Sequence, residues 1–377
     1  MNRLFLLCCA LCSLLPIYGQ PSEIKAELPT ATPLIKQHLT YPMAWGNAPQ
    51  KNFGKWRKAA REVLLQSMLH RPPVVPFEPE VIAIEQRDGY EARKVRFNLS
   101  AYSRANAYLL IPDGKGPFPA IVMLHDHGAK FSIGKEKLVR PFGVEDAVMT
   151  DATDWIARCY DNEWVADRYA RAGYAVLVTD ALFWGERGRA EGVSYEKQET
   201  LSANLLQLGM CWSGVITFDD MQSAEFLASL PEVDANRIGA LGFSLGAHRA
   251  WMVAAASDRI KASAAVCWMN TTEELMTPKN NQTRGQSAYS MLVPGLRNYL
   301  DYPHVAAIAC PKPALYFAGR NDKLFPVKGV EDAFSILTET YRSQKAADKL
   351  QTRIWEEKHF FNRAMQNETL RFFDTHL

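Results

Sequence analysis

Ser244 stands in Gly-Phe-Ser-Leu-Gly (242–246), directly after the apolar run 238–243 and before the alanine-rich stretch 247–256. A hydroxyl between two glycines at that spacing suits nucleophilic chemistry. A strand that turns at once into a helix holds its corner residue in a strained backbone conformation and lifts the side-chain oxygen out of the sheet. The positions two before and two after must then be small, as Gly242 and Gly246 are. The free N–H groups of the helix N-terminus also lie beside any negative charge that develops there. An ordinary Gly-bounded turn has the same pattern, so the decision falls to the serine's partners.

A serine needs a base, and the base needs an orienting acid. Where a nucleophile sits on such a corner, the acid and then the base follow it along the chain. His359 comes after the run Thr352–Glu357, where a loop should rise from the last strand. Asp322 closes Ala-Gly-Arg-Asn-Asp after the run 314–319 and before Pro326. It is also the kind of residue that forms turns. Among the other histidines past the serine, His248 lies one helical turn inward and reads as packing or surface. His304 falls in a long insertion, and His376 is penultimate. Glu356 and Glu357 are too close to His359 to reach its far ring nitrogen, and read as decoration of the strand. Asp180 ends a strand but precedes the serine, so it reads as structural or substrate-facing.

Acyl-transfer chemistry needs two N–H donors for an oxyanion. Leu245 should supply one. The second should come from the loop His125-Asp126-His127-Gly-Ala-Lys, near His127. Three potential metal ligands stand in a row there. Adjacent residues on an extended chain point to opposite sides and rarely converge on one ion, so neither a metal nor a cofactor is read from them.

The elements that must hold these residues follow a consistent rhythm. Residues 81–112 contain strand-like alternation with a turn at Asp88-Gly89, which predicts an antiparallel hairpin and a neighbour at a sheet edge. From position 120 onward, short apolar runs (120–125, 175–180, 238–243, 262–268, 314–319, 352–357) alternate with helix-like stretches. That alternation predicts a mostly parallel sheet covered on both faces, in which ligands bind at the carboxyl ends of the strands. Residues 20–80 form an N-terminal extension with helical spacing over 53–70, packed on a main domain of 81–377. The connections 126–163 and 269–311 are long enough to carry function.

The chain of 377 residues has 43 Lys and Arg against 41 Asp and Glu. This near balance, without a basic block, gives no sign of nucleic acid as a partner. Arg3, the apolar run 4–15, Pro16 and Gly19 have the order of a secretory leader over 1–19. The run is too short for a membrane span, so the mature chain is expected to be exported. Cys159, Cys211, Cys267 and Cys310 remain after the leader. They have no zinc-like spacing, and disulfides or buried thiols are equally open.

The segments VDANRIGALGFSLGAHRA (233–250), LHDHGA (124–129), GYAVLVTDALFWGERG (173–188) and GRNDKLFP (319–326) together resemble the α/β-hydrolase superfamily. Within it they resemble the dienelactone-hydrolase-like and acetyl-xylan-esterase-like branch, from about Tyr108 to the C-terminus. The resemblance implies an α/β-hydrolase fold, Ser244 as nucleophile, Asp322 as acid, His359 as base, and Leu245 with the His127 region as oxyanion donors. It implies an exported serine esterase acting on small-molecule or polysaccharide esters, with acetyl or related esters of carbohydrates foremost. Trp164, Phe183, Trp184, Trp268 and Tyr289 are candidates to stack on sugars or simply to fill the core. A prolyl-oligopeptidase-like peptidase and a non-catalytic carbohydrate-binding homologue are the alternatives, although the chain has no room for a propeller ahead of Ser244.

Overall fold

The computed structural model describes residues 23–25, 27–188, 194–280 and 286–377. The leader expected over 1–19 lies outside them. Among the described residues no helix is long and apolar enough to cross a membrane.

The predicted hairpin is present as β1 (Glu80–Arg87) and β2 (Tyr90–Ser100), paired antiparallel around Asp88-Gly89. β3 (Ser103–Pro112) adds antiparallel to β2. The remaining strands of the main sheet are β4 (Phe118–Leu124), β5 (Ala175–Thr179), β6 (Val233–Phe243), β7 (Ala262–Val266), β8 (Ala314–Gly319) and β9 (Leu350–Trp355). They form one sheet in the order β9-β8-β7-β6-β4-β5-β3-β2-β1, parallel from β9 to β5 and antiparallel from β5 to β1. β5, β7 and β8 are buried along their whole length, as strands with helices on both faces must be. β9 ends at Trp355, so Glu356 and Glu357 belong to the loop beyond it and not to the strand.

Alternate residues of β8 serve opposite layers. Tyr316 and Ala318 pack in one apolar core, Leu315 and Phe317 in the other, as the two-residue period of a strand requires. Helix α1 (Phe53–Ser67) belongs to the first core. Asn52 caps it by accepting from Lys55 N at 3.0 Å. Its Trp56, Ala60 and Leu64 are buried in the cluster that contains Trp251 and Ala255. Arg61 Nε donates to the Ala255 carbonyl at 2.8 Å. The extension therefore braces α6 (Leu245–Ala256), the helix that starts beside Ser244 and that follows α2 (Asp146–Cys159), α3 (Val165–Arg171), α4 (Lys197–Gln207) and α5 (Trp212–Ala228) along the chain.

Neither long connection is structureless. The first contains a 3-10 turn at Lys135–Lys137 and the helix Asp146–Cys159. The second contains short helices at Thr272–Leu275 and Tyr302–Ala307. Both contribute to the space above the carboxyl ends of β4, β6 and β7.

Candidate active site

β6 ends at Phe243 and α6 begins at Leu245, so Ser244 alone makes the corner. Its φ of +57° and ψ of −123° are strained for a residue with a Cβ. Two glycines make this corner possible. A Cβ on Gly242 would lie 2.1 Å from the carbonyl carbon of Gly246, and one on Gly246 would lie 1.9 Å from the Leu124 carbonyl oxygen. Ser244 N donates to the Val266 carbonyl at 2.8 Å and ties the corner to β7.

The tertiary fold brings His359 and Asp322 to this corner from 115 and 78 positions further along the chain. His359 Nε2 is 2.8 Å from Ser244 Oγ, and Nδ1 is 2.6 Å from Asp322 Oδ2. With the carboxylate accepting from Nδ1–H, Nε2 has the lone pair that accepts the serine hydroxyl. The other Asp322 oxygen accepts from Leu324 N at 2.9 Å, which fixes the carboxylate. The imidazole packs against Phe243 and Phe325, with ring centroids 4.7 and 6.0 Å away.

As the first residue of α6, Leu245 has a backbone N–H without an intrahelical acceptor. The three residues of the 125–127 loop send their side chains to different partners. His125 Nε2 accepts from Ala181 N at 2.9 Å. Asp126 Oδ2 accepts from Trp155 Nε1 at 3.0 Å and Tyr160 OH at 2.7 Å. His127 Nε2 is 2.6 Å from Gln198 Oε1, and its Nδ1 accepts from Ala129 N at 3.0 Å. Burial pushes the His127 pKa down to about 4, which keeps the ring neutral. Both ring nitrogens of His127 are thus engaged within the protein, and the 126–128 segment lines the space beside Ser244.

Other sequence-level candidates fall elsewhere. His248 is buried against Trp251 and Trp268, and burial lowers its pKa to about 3. His304 Nδ1 accepts from Asp301 N in a capping box, and His376 closes the last helix. Asp180 is structural: its carboxylate accepts from the backbone and side chain of Lys135 at 2.7 and 2.8 Å. Cys159, Cys211, Cys267 and Cys310 are free, buried thiols. Among the described residues, Cys267, Asp322 and His359 have ligand atoms within 4.8 Å of one another. The acid and imidazole are already hydrogen-bonded together within that trio.

The abhydrolase family model matches residues 35–370, most of the chain and well into the N-terminal extension. The protein belongs to the abhydrolase family. The chain is 27% identical over 318 residues to "Putative hydrolase YtaP" of Bacillus subtilis (strain 168), covering 84% of this chain and 98% of that one. A Bacteroides fragilis NCTC 9343 structure titled "putative acetyl xylan esterase" superposes with a TM-score of 0.68 at 21% identity, over 87% of this chain and 82% of the other. A glucuronoyl esterase from Solibacter usitatus gives a TM-score of 0.60 at 13% identity, over 85% and 92%. At such identities the structural likenesses establish the shared α/β-hydrolase fold.

In this abhydrolase the Ser244–His359 pair forms the floor of a cavity of about 610 Å³, a size suited to a small ligand or part of a larger one. One wall is apolar and comes largely from the second long connection, through Leu275, Met291 and Tyr302. The lining also includes Trp155, Arg158 and Lys358. Of the five aromatics singled out from the sequence, only Trp268 is among the lining residues. Phe183 and Trp184 fill a separate core cluster. Sequence reasoning also passes over Lys135-Glu136-Lys137, because three consecutive charges ordinarily mark an exposed turn. All three are buried, with Lys137 at 0% exposure.

Proposed function

We propose that this abhydrolase is an exported serine esterase whose substrates are carboxylic esters on carbohydrates. The observation that supports this most is the continuous Ser244–His359–Asp322 chain of hydrogen bonds, at 2.8 and 2.6 Å, opening onto the cavity. His359 takes the Ser244 proton as Oγ attacks the ester carbonyl, and returns it to the departing alcohol. Asp322 holds the ring in the required tautomer and stabilises the imidazolium. The N–H of Leu245 and a second N–H from the His127 loop receive the charge on the carbonyl oxygen. Water, activated by the same histidine, then releases the acid from the acyl-enzyme.

The acetyl xylan and glucuronoyl esterases that share the fold favour carbohydrate esters as the substrate class, as does the leader-like N-terminus. The test is a panel of p-nitrophenyl acetate, acetylated xylan and glucuronoyl esters, with fluorophosphonate labelling. At least one ester should turn over. Ser244→Ala should abolish labelling and lower kcat by a factor on the order of 10⁶, as loss of a triad serine does. Undiminished turnover in that variant would refute the mechanism.

A further inference from the structure

A single ammonium group lies beneath the loop that faces Ser244. Lys137 Nζ donates to the Asp126 carbonyl at 3.0 Å and to the His127 carbonyl at 2.9 Å. The side chain is fully buried and is not among the cavity-lining residues, whereas Asp126, His127 and Gly128 are. Lys137 therefore grips the loop from its protein side. In a trans peptide the C=O and the N–H point in opposite directions. With the carbonyls of 126 and 127 turned inward to Nζ, the N–H groups of His127 and Gly128 turn outward, toward the cavity that Ser244 and Leu245 also line. We infer that Lys137 is a positioning residue, holding two consecutive peptide planes so that their N–H groups meet the oxyanion formed at Ser244. The inference rests on the serine-esterase reading and deepens it by accounting for the second donor.

The surroundings explain how a lysine can be kept there. Gly134–Lys137 is anchored by Asp180, which accepts from Lys135 N and Lys135 Nζ. A Cβ at Gly134 would lie 2.2 Å from that same carboxylate, so the turn can approach it only with glycine. Lys137 Nζ lies over Trp155, 5.1 Å from the ring centroid, and Asp126 Oδ1 is 3.8 Å from Nζ. Burial lowers the Lys137 pKa. A neutral amine still has two N–H donors, so either protonation state serves both carbonyls. Trp184 Nε1 supports the same loop with a third bond, to the His127 carbonyl at 3.0 Å.

The experiment compares wild type, Lys137→Met and Trp184→Phe on the best ester of the panel, and measures binding of a trifluoromethyl ketone and the rate of fluorophosphonate labelling. Circular dichroism establishes that each variant is folded. Lys137→Met keeps the stem and loses the donors. Its kcat should fall about 100-fold, in the range for loss of an oxyanion donor, with KM changed less than threefold. Ketone affinity and labelling rate should fall with kcat, because both place a charged or polarised oxygen in the same hole. Trp184→Phe should shift the same readouts in the same direction by a smaller factor, and it decides the matter if Lys137→Met does not fold. Wild-type kcat, or reduced kcat with unchanged ketone affinity, would overturn the assignment. Activity that survives Ser244→Ala is a distinct result, because it removes the esterase reading itself and leaves these variants without an oxyanion to position.

Discussion

Gly246→Ala tests whether the corner at Ser244 is as tight as its geometry indicates. The added methyl would start 1.9 Å from the Leu124 carbonyl oxygen and 2.8 Å from its carbon. Real Cβ contacts essentially never fall below 3.0 Å, so α6 and the end of β4 must separate by more than 1 Å. Both obstructing atoms are backbone, and no flexible side chain can yield in their place. The separation moves Ser244 away from His359, and a displacement of this size costs roughly 100-fold in rate. Overpacking should also cost about 1–3 kcal/mol of stability. The assay is kcat/KM on the best ester together with urea unfolding. Gly54→Ala is the control. It sits exposed near the start of α1, where the nearest atom to a new Cβ is Asn52 Oδ1 at 3.4 Å. That change should leave activity unaltered and stabilise the protein by up to about 1 kcal/mol. A Gly246→Ala enzyme within threefold of wild type would refute the reasoning.

Asp322→Asn should keep the shape of the site but disturb the His359 tautomer. The expected fall in kcat is on the order of 10⁴, measured by steady-state kinetics, and a tenfold loss or less would show that the acid lies elsewhere. Arg249→Met strands the Asp220 carboxylate, which now receives a bidentate pair at 3.0 and 2.7 Å from a guanidinium buried to the same degree. Breaking such a pair should cost about 3–5 kcal/mol in urea unfolding, and a change below 1 kcal/mol would contradict its burial. Burial depresses His248 to about 3, and His127 and His304 to about 4, below the unfolded value of 6.5. The unfolded chain then binds more protons than the folded one between about pH 6.5 and 4. Stability should therefore fall as the pH drops through that window, by about 1.4 kcal/mol per pH unit for each histidine. Unfolding midpoints of wild type and His248→Gln across this range should converge toward acid pH; parallel curves would argue against a neutral His248.

How much of this was legible in the chain depends on whether the controlling interaction is local. The inner strands were readable because they are buried on both faces and must be runs of apolar residues, whereas the half-exposed edge strand β9 begins two residues before the run expected at 352–357. The corner at Ser244 was readable because the backbones around it approach too closely to admit a Cβ at 242 or 246. Asp322 and His359 were recoverable from chain order, since each follows an apolar run that becomes a sheet strand. The family match extends the relationship back to residue 35, beyond the part where sequence motifs are visible. Helix α1 contributes packing surface and contains no chemical signature.

What the tertiary structure alone decided is which polar groups are buried and where they point. His127, a prominent ring in the sequence, is buried and sends its imidazole to Gln198. Asp180 proved to be an anchor for a turn, and the four cysteines proved to be unpaired. Lys135, Glu136 and Lys137 have the composition of a solvated surface turn, yet all three are buried, and Lys137 reaches the carbonyls of 126 and 127. Local sequence cannot reveal this, because a buried charge is tolerated only when distant partners meet it. Those partners here are Asp180 and the carbonyls of 126 and 127, which only the closed fold brings within 3 Å.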